Sequence, residues 1–305
     1  MRQSTWVALR LLHCNKMQEK RSGWPGLVVA VAAFGALLWL EQRRSLRKPL
    51  EPKGRRVARN LVVAGVSAAV LNLAERPVSV PLARLVERRR YGLLQRVRLP
   101  RWLETALGVL LLDYTLYIWH VLEHKVPALW RYHAVHHADL DLDASTALRF
   151  HFGELAASVP WRAAQIVLIG VTPRTLAIYQ RLLMLSIMFH HSNVRLSTRA
   201  EKWLSPMIMT PRLHGIHHSV VDEEVNSNWS SGLTIWDRIH HTLRSKATRE
   251  HVTIGLPEYR DPAELTLPKV LKMPFDRLPQ SGARAVDHGG SHSSRRNSAT
   301  AIARV

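Results

Sequence analysis

The 305-residue chain carries one cysteine, Cys14. That excludes an intrachain disulfide, a cysteine-ligated zinc ribbon and a cysteine-ligated iron–sulfur cluster. Any metal must therefore be held by imidazole, carboxylate or backbone oxygen. Acidic residues are also scarce: 23 Asp and Glu stand against 43 Lys and Arg, a formal net charge of +20. Such an excess can serve nucleic acid, yet no helix-turn-helix, zinc-finger or RNP pattern accompanies it. No flavin, haem or dinucleotide motif is visible, so electrons for any redox chemistry must come from outside the chain. The opening MRQSTWVALRLLHCNK is a poor secretory signal, because Arg10 interrupts its short apolar run.

What the chain has instead is oil in blocks. Residues 24–40 (WPGLVVAVAAFGALLWL) contain no charge and a Trp at each end. As a helix this stretch reaches about 26 Å, near the thickness of a hydrocarbon core. Further apolar runs lie at 61–74, 103–119, 155–171 and 176–190. A water-soluble domain rarely carries five of these. The expected fold is all-α, an integral membrane bundle of four to five apolar helices with a His-rich helical cap on the cytosolic side. Residues 1–23 form a basic N-terminal segment and 24–101 the N-terminal membrane helices with basic connections. Residues 102–260 form the histidine-rich domain, and 261–305 a largely disordered tail, rich in Gly, Ser and Arg from about Pro279.

The basic residues sit beside the oil. Arg43, Arg44, Arg47, Lys48, Lys53, Arg55, Arg56 and Arg59 lie between the first two runs, and a second cluster from Arg84 to Arg101 precedes the third. Juxtamembrane clusters of this kind favour the cytoplasmic face and anionic lipid headgroups, so lipid rather than nucleic acid is the expected partner. A hairpin of the fourth and fifth runs, turning at 171–175, gathers His120, His151 and His191 on one side, read as cytoplasmic. Counting back puts the 41–59 connection on that side and the basic 75–101 segment on the other, against the positive-inside rule. The short second run is accordingly read as re-entrant, or the basic segment as interfacial. Arg162 and Arg181 interrupt the later runs and are expected to snorkel.

Three stretches carry chemistry. In His120-Val-Leu-Glu123-His124 the two imidazoles stand four apart and share a helix face. In His133-Ala-Val-His136-His137 the first residue faces both later ones, which diverge by about 100°. Such a triplet can serve two neighbouring metals. His214-Gly-Ile-His217-His218 repeats the spacing, and between the triplets stand His151 and the pair His190–His191. Eight histidines exceed what one tetrahedral zinc can use. Imidazole suits zinc, copper, iron and nickel alike, so ligand type alone does not choose the metal. The first stretch is also HxxEH, the inverted zinc-protease motif with Glu123 as general base, which leaves both triplets unused. A bis-His haem protein and an inactive metal-binding membrane scaffold are two further ways to employ these histidines.

PALWRYHAVHHAD resembles the central signature of the fatty acid hydroxylase/sterol desaturase superfamily of membrane enzymes. The resemblance runs from about Leu111 to Thr242 and includes HVLEH, ALRFHFGE, HHSNV, TPRLHGIHHS and NSNWSSGLTIWDR. It implies a non-haem centre of two iron ions at the cytosolic membrane face. It also implies hydroxylation or desaturation of a lipid C–H bond with O2 as co-substrate, and an external electron donor of ferredoxin, cytochrome b5 or reductase type. By position, His120, His124, His133, His136, His137, His191, His214, His217 and His218 are the implied ligands. His151 is a tenth candidate, although Phe152 stands where the family usually has Pro. Asn226, Asn228 and Asp237 match polar positions after the last box and, with Glu123 and Glu154, are expected to orient imidazoles from behind. His240 and His241 replace an aromatic-Gly pair, with no implied role.

Overall fold

The computed structural model describes residues 26–249 and 251–276, and these are helical, joined by loops with three isolated β-bridges. Among the described residues, three helices are long and apolar enough to cross a membrane: α1 (Gly26–Arg43), α2 (Lys53–Arg89) and α3 (Arg101–Lys125). The fourth and fifth apolar runs form α5 (Phe152–Ile169) and α6 (Pro173–His191), which both pack on α3 and on the far end of α2, and α5 also packs on the short α4 (Pro127–His137). On α1, Leu27, Val28, Val31 and Trp39 are exposed. A surface of that kind is solvated by acyl chains rather than by water.

The second run and the basic segment after it are continuous, not separate elements. The run is the middle of one 37-residue helix. A π turn at Leu71–Glu75 interrupts its regular bonding, just before Pro77, which withholds a backbone donor from Leu73. The far end of α2 packs with α3, α5 and α6 through Ala83, Val86, Leu112, Ile166 and Tyr179. There the chain after α2 docks on the α5–α6 turn: Leu93 and Leu94 donate to Leu168 and Ile169 at 2.9 Å each. A Cβ on Gly92 would lie 2.4 Å from the Gly170 backbone, so glycine is needed for this approach. The basic residues after Arg84 therefore sit at this end, opposite the histidines.

At the histidine end, the 41–59 connection is tied to the third box. Arg47 donates to the Pro211 carbonyl at 3.2 Å, and its guanidinium occupies the space a Cβ on Gly215 would need. The glycine of HGIHH is explained by that close approach. The Asp139-Leu-Asp141-Leu-Asp143 segment, directly after the second box, wraps around buried Arg56 of α2. Arg56 meets Asp139 at 3.0 Å and Asp141 at 3.7 Å, and also pairs with Asp143. Arg59 adds a contact to Asp139 at 3.2 Å, and Asn60 another at 2.9 Å. Burial opposes the charge of Asp139, but Arg56, Arg149 and Arg59 outweigh it and hold the carboxyl down to about 2.

The 261–276 segment, assigned from sequence to the disordered tail, is partly built into the core. Helix Leu267–Lys272 and its flanks place Leu265, Val270 and Met273 against Trp130 and Val135 of α4. The remainder of that expected tail, with His288 and His292, lies outside the described residues.

Candidate metal centre

The third box lies on a short helix, α8 (Pro211–His217), which follows the helix α7 (Thr198–Leu204). Threonine–proline pairs start both α6 and α8. Thr172 accepts from Thr175 N and Thr210 from Leu213 N, each at 3.3 Å, while the proline at N1 has no amide to leave unpaired.

These elements bring nine histidines into two adjoining sets. His120, His124, His133, His137 and His217 form the first; His136, His191, His214 and His218 form the second, with one ligating atom of each within 4.8 Å of the others in its set. Residues four apart stay together, as helix geometry requires, and the residue between crosses to the other set. The second box thus contributes two imidazoles to the first set and one to the second, and the third box does the reverse. The sets share a wall, where the rings of His137 and His218 stack at 4.2 Å.

The ring nitrogens carry the signature of a cation site. Nε2 atoms face one another at 3.2 Å between His120 and His133 and 3.1 Å between His217 and His120. In the second set they do so at 2.9 Å for His136–His191, 3.0 Å for His191–His214 and 3.1 Å for His214–His218. Neutral imidazoles meeting in this way turn lone pairs toward lone pairs unless a proton or metal lies between. Both nitrogens of His124 and of His137 are buried without a partner, a cost that ligation removes. Burial first, then repulsion among the imidazoles, holds His136, His137, His214, His217 and His218 well below the ordinary histidine range. Neutral imidazole is the ligating form. The residues fit a pair of metal ions.

Orientation comes from behind. His120, His217 and His191 direct Nδ1 to the carbonyls of Trp229, Ser227 and Ile187, each at 2.7 Å, and His133 Nδ1 meets Glu154 Oε1 at 3.0 Å. These contacts select the tautomer that leaves Nε2 pointing inward. Glu123 lies 3.8 Å from the same His133 nitrogen. The hydrogen bonds of the other three polar candidates go to groups other than imidazoles. Asp237 instead accepts from Trp229 N and Ser230 N at 3.0 Å each, holding the loop whose carbonyl receives His120. Asn228, at positive φ, accepts from Arg244 N at 2.7 Å and donates to Leu213 O at 2.9 Å. Asn226 accepts from Lys125 at 2.8 Å. The carbonyl partners were missed from sequence because a backbone oxygen leaves no residue signature.

His151 belongs to neither set. Its Nδ1 accepts from Gly153 N at 3.0 Å, capping α5, and its Nε2 meets Leu271 O at 3.2 Å. His151→Ala is expected to retain full metal content and to lose about 1 kcal/mol of stability, the worth of an N-cap. Metal counted per chain, beside thermal unfolding in detergent, checks this; a lost ion would make His151 a ligand. His190 is buried with its ring 4.2 Å from that of His214, yet outside the set. His240 is exposed and stacks on Tyr114 and Tyr117 at 5.8 and 5.0 Å.

A cavity of about 1370 Å³ opens on the histidines and runs between α1, α2, α3, α5 and α6. Most of its wall is aliphatic, with Leu71, Leu116, Leu155, Leu176 and Met184 among the lining residues.

Residues 105–242 match the family profile of fatty acid hydroxylase. Over 157 residues the chain is 29% identical to an ornithine lipid hydroxylase of Rhizobium tropici, which covers 52% of this chain and 46% of that protein. It is 28% identical over 155 residues to human alkylglycerol monooxygenase, covering 51% and 33%. With a cholesterol 25-hydroxylase-like protein of Danio rerio it shares 30% over 148 residues, covering 46% and 55%. The chain thus spans about half, or less, of the length of these relatives. No solved structure matches it. The matched segment holds all three histidine boxes, both imidazole sets and the loop that orients them, and through it the chain is similar to the fatty acid hydroxylase/sterol desaturase superfamily.

Proposed function

We propose that this protein is a multi-pass membrane oxidoreductase that hydroxylates or desaturates a lipid C–H bond, with O2 as co-substrate and electrons from an external donor. One observation carries the reading: nine buried imidazoles form two adjoining sets, and His120, His133, His136, His191 and His214 of these line an apolar cavity between helices long enough to cross a bilayer.

His120, His124, His133, His137 and His217 would hold one iron ion, and His136, His191, His214 and His218 the other. When bound, iron supplies the O2 activation and C–H oxidation that no side chain here can perform. The chain's own residues do the rest. The carbonyls of Ser227, Trp229 and Ile187 fix three imidazoles, and the Glu154 carboxylate fixes a fourth. The aliphatic walls exclude water and hold an acyl chain in reach of the histidines. An apolar substrate arriving through the bilayer meets the centre where α3 ends.

The histidine end is assigned to the cytoplasm, where reductants are available. The eight basic residues of the 41–59 connection support this, since Arg47 is bonded to the third box. In HxxEH, Glu123 faces His133 and Glu154, and a single zinc on this motif would leave the whole second set unemployed.

Metal analysis of detergent-purified protein, with iron and zinc counted per chain beside a Mössbauer spectrum, tests the reading. About two irons in a coupled pair are expected. One zinc and no iron would move the assignment to a protease. Two irons without O2-dependent turnover of any lipid would leave a metal-binding scaffold.

A further inference from the structure

A file of aromatic rings runs from the first imidazole set to the surface. Trp229 is buried with its ring 6.3 Å from that of His124, and its carbonyl receives His120 Nδ1. Tyr117 of α3, also buried, meets Trp229 edge-on at 6.4 Å. Tyr114, one turn back along α3 and half-buried, lies parallel to Tyr117 at 6.5 Å. Exposed His240 stacks on both tyrosines, and its Nε2 lies 3.2 Å from the Tyr114 hydroxyl. His124, Trp229, Tyr117 and Tyr114 thus stand in sequence, each ring centre within 6.5 Å of the next.

Indole and phenol are the ring side chains that give up a single electron readily, and a phenol does so well only when a base takes its proton. The two phenols differ in that respect. Tyr117 Oη meets Thr242 Oγ1 at 3.1 Å, and Thr242 gives its own proton to Asp237 at 2.6 Å. A hydroxyl is a poor base. Tyr114 faces an imidazole, which takes up a proton near neutral pH. At the inner end, the Lys125 ammonium stands 5.4 Å from the Trp229 ring centre, a charge that disfavours a positive hole there. Both features move an oxidising equivalent outward and settle it on Tyr114.

We infer that Trp229, Tyr117 and Tyr114, with His240 as proton acceptor, form a relay that drains an oxidising equivalent from the histidine end when no substrate consumes it. The inference rests on the oxidoreductase reading, which supplies the oxidant, a metal ion at the first set oxidised with O2. One electron leaves Tyr114 and passes by way of Tyr117 and Trp229 to that ion, which is reduced by one unit of charge. The Tyr114 O–H bond breaks, its proton passes to His240 Nε2, and a neutral phenoxyl radical remains beside an imidazolium. Because His240 is exposed, the pair is within reach of a water-borne one-electron reductant such as ascorbate. That reductant restores the electron and His240 returns the proton. The ligating imidazoles are spared the oxidation that would otherwise fall on them, an exclusion of side reactions that the protein rather than the metal provides.

The test reads a radical, not turnover. Iron-loaded protein in neutral detergent, reduced and freed of lipid substrate, is mixed with O2 and freeze-quenched for electron paramagnetic resonance, with and without ring-deuterated tyrosine. Wild type is expected to give a tyrosyl signal. Tyr114→Phe keeps the ring and should lose that signal at unchanged metal content, while oxidation of His124 and Trp229, mapped by mass spectrometry, should rise. Trp229→Phe keeps the carbonyl that orients His120 and should lose the signal too. His240→Phe keeps the stack without the base and should weaken and shorten it. A signal intact in Tyr114→Phe would overturn the relay, as would iron that takes up O2 with no tyrosyl radical in wild type; rings that only pack would give the latter result. A chain that holds no iron would sink the oxidoreductase reading instead. Flash oxidation of the same protein by a dissolved ruthenium sensitiser then decides whether Tyr114 and His240 are a redox pair. A radical lost in Tyr114→Phe and weakened in His240→Phe supports the pair, and one indifferent to both substitutions overturns it.

Discussion

Replacing His217 by alanine is expected to lower bound metal from about two ions per chain to about one and to abolish turnover, at least about a hundredfold, beyond the usual cost of losing an outer partner. His217 belongs to the first set, with Nε2 3.1 Å from that of His120 and Nδ1 2.7 Å from Ser227 O. His136→Ala should give the same loss of turnover while emptying the other set, where His136 Nε2 meets His191 Nε2 at 2.9 Å. Neither residue lies on a candidate membrane span, so both variants should insert normally. Metal counted per chain should read about one ion in each single variant and about none in the His136→Ala/His217→Ala pair, as two separate sets require. Wild-type turnover or full metal content in either variant would end the two-site assignment.

Arg56→Ala is expected to cost stability rather than chemistry, by about 3–5 kcal/mol or by failure to accumulate. The guanidinium is 2% exposed and faces Asp139, Asp141 and Asp143 together. Its removal would leave buried carboxylates, with Arg149 and Arg59 as the remaining cations acting on Asp139. Arg56→Lys should recover part of the loss, since an ammonium restores the charge but cannot fork between carboxylates. Thermal unfolding in detergent, followed alongside metal content, is the measurement. An Arg56→Ala protein that melts with wild type would mean that this network does not hold α2 to the second histidine box.

The histidine centre was legible because helix geometry writes itself into spacing. His120 and His124 had to share a face, and the divergence of His136 from His137 already allowed two metals. Much else was not legible, for definite reasons. Pro77, Pro81 and the arginines of α2 break the apolar pattern of a helix that nevertheless continues for 37 residues. Asp139, Asp141 and Asp143 alternate with apolar residues and read locally as an ordinary polar loop; their partner Arg56 lies more than eighty residues away. His151 looked like a ligand because its neighbourhood matches a histidine-bearing stretch, yet its nitrogens serve a helix cap and a carbonyl. The short helix at Leu267–Lys272 offers under two turns of periodicity, too little to distinguish from a tail.

The sharing of both imidazole sets between distant segments also imposes an order in time. His120 meets His217 across 97 positions, and His136 meets His191 across 55. During synthesis, α1 to α3 can enter the bilayer well before the third box leaves the ribosome. Until then each set lacks at least one of its members, and the buried nitrogens of the earlier boxes have nothing to hold. On the two-metal reading proposed above, loading would be a late step of biogenesis and would double as a check on completeness: a chain stopped before His214 lacks His217 of the first set and His214 and His218 of the second, and closes neither.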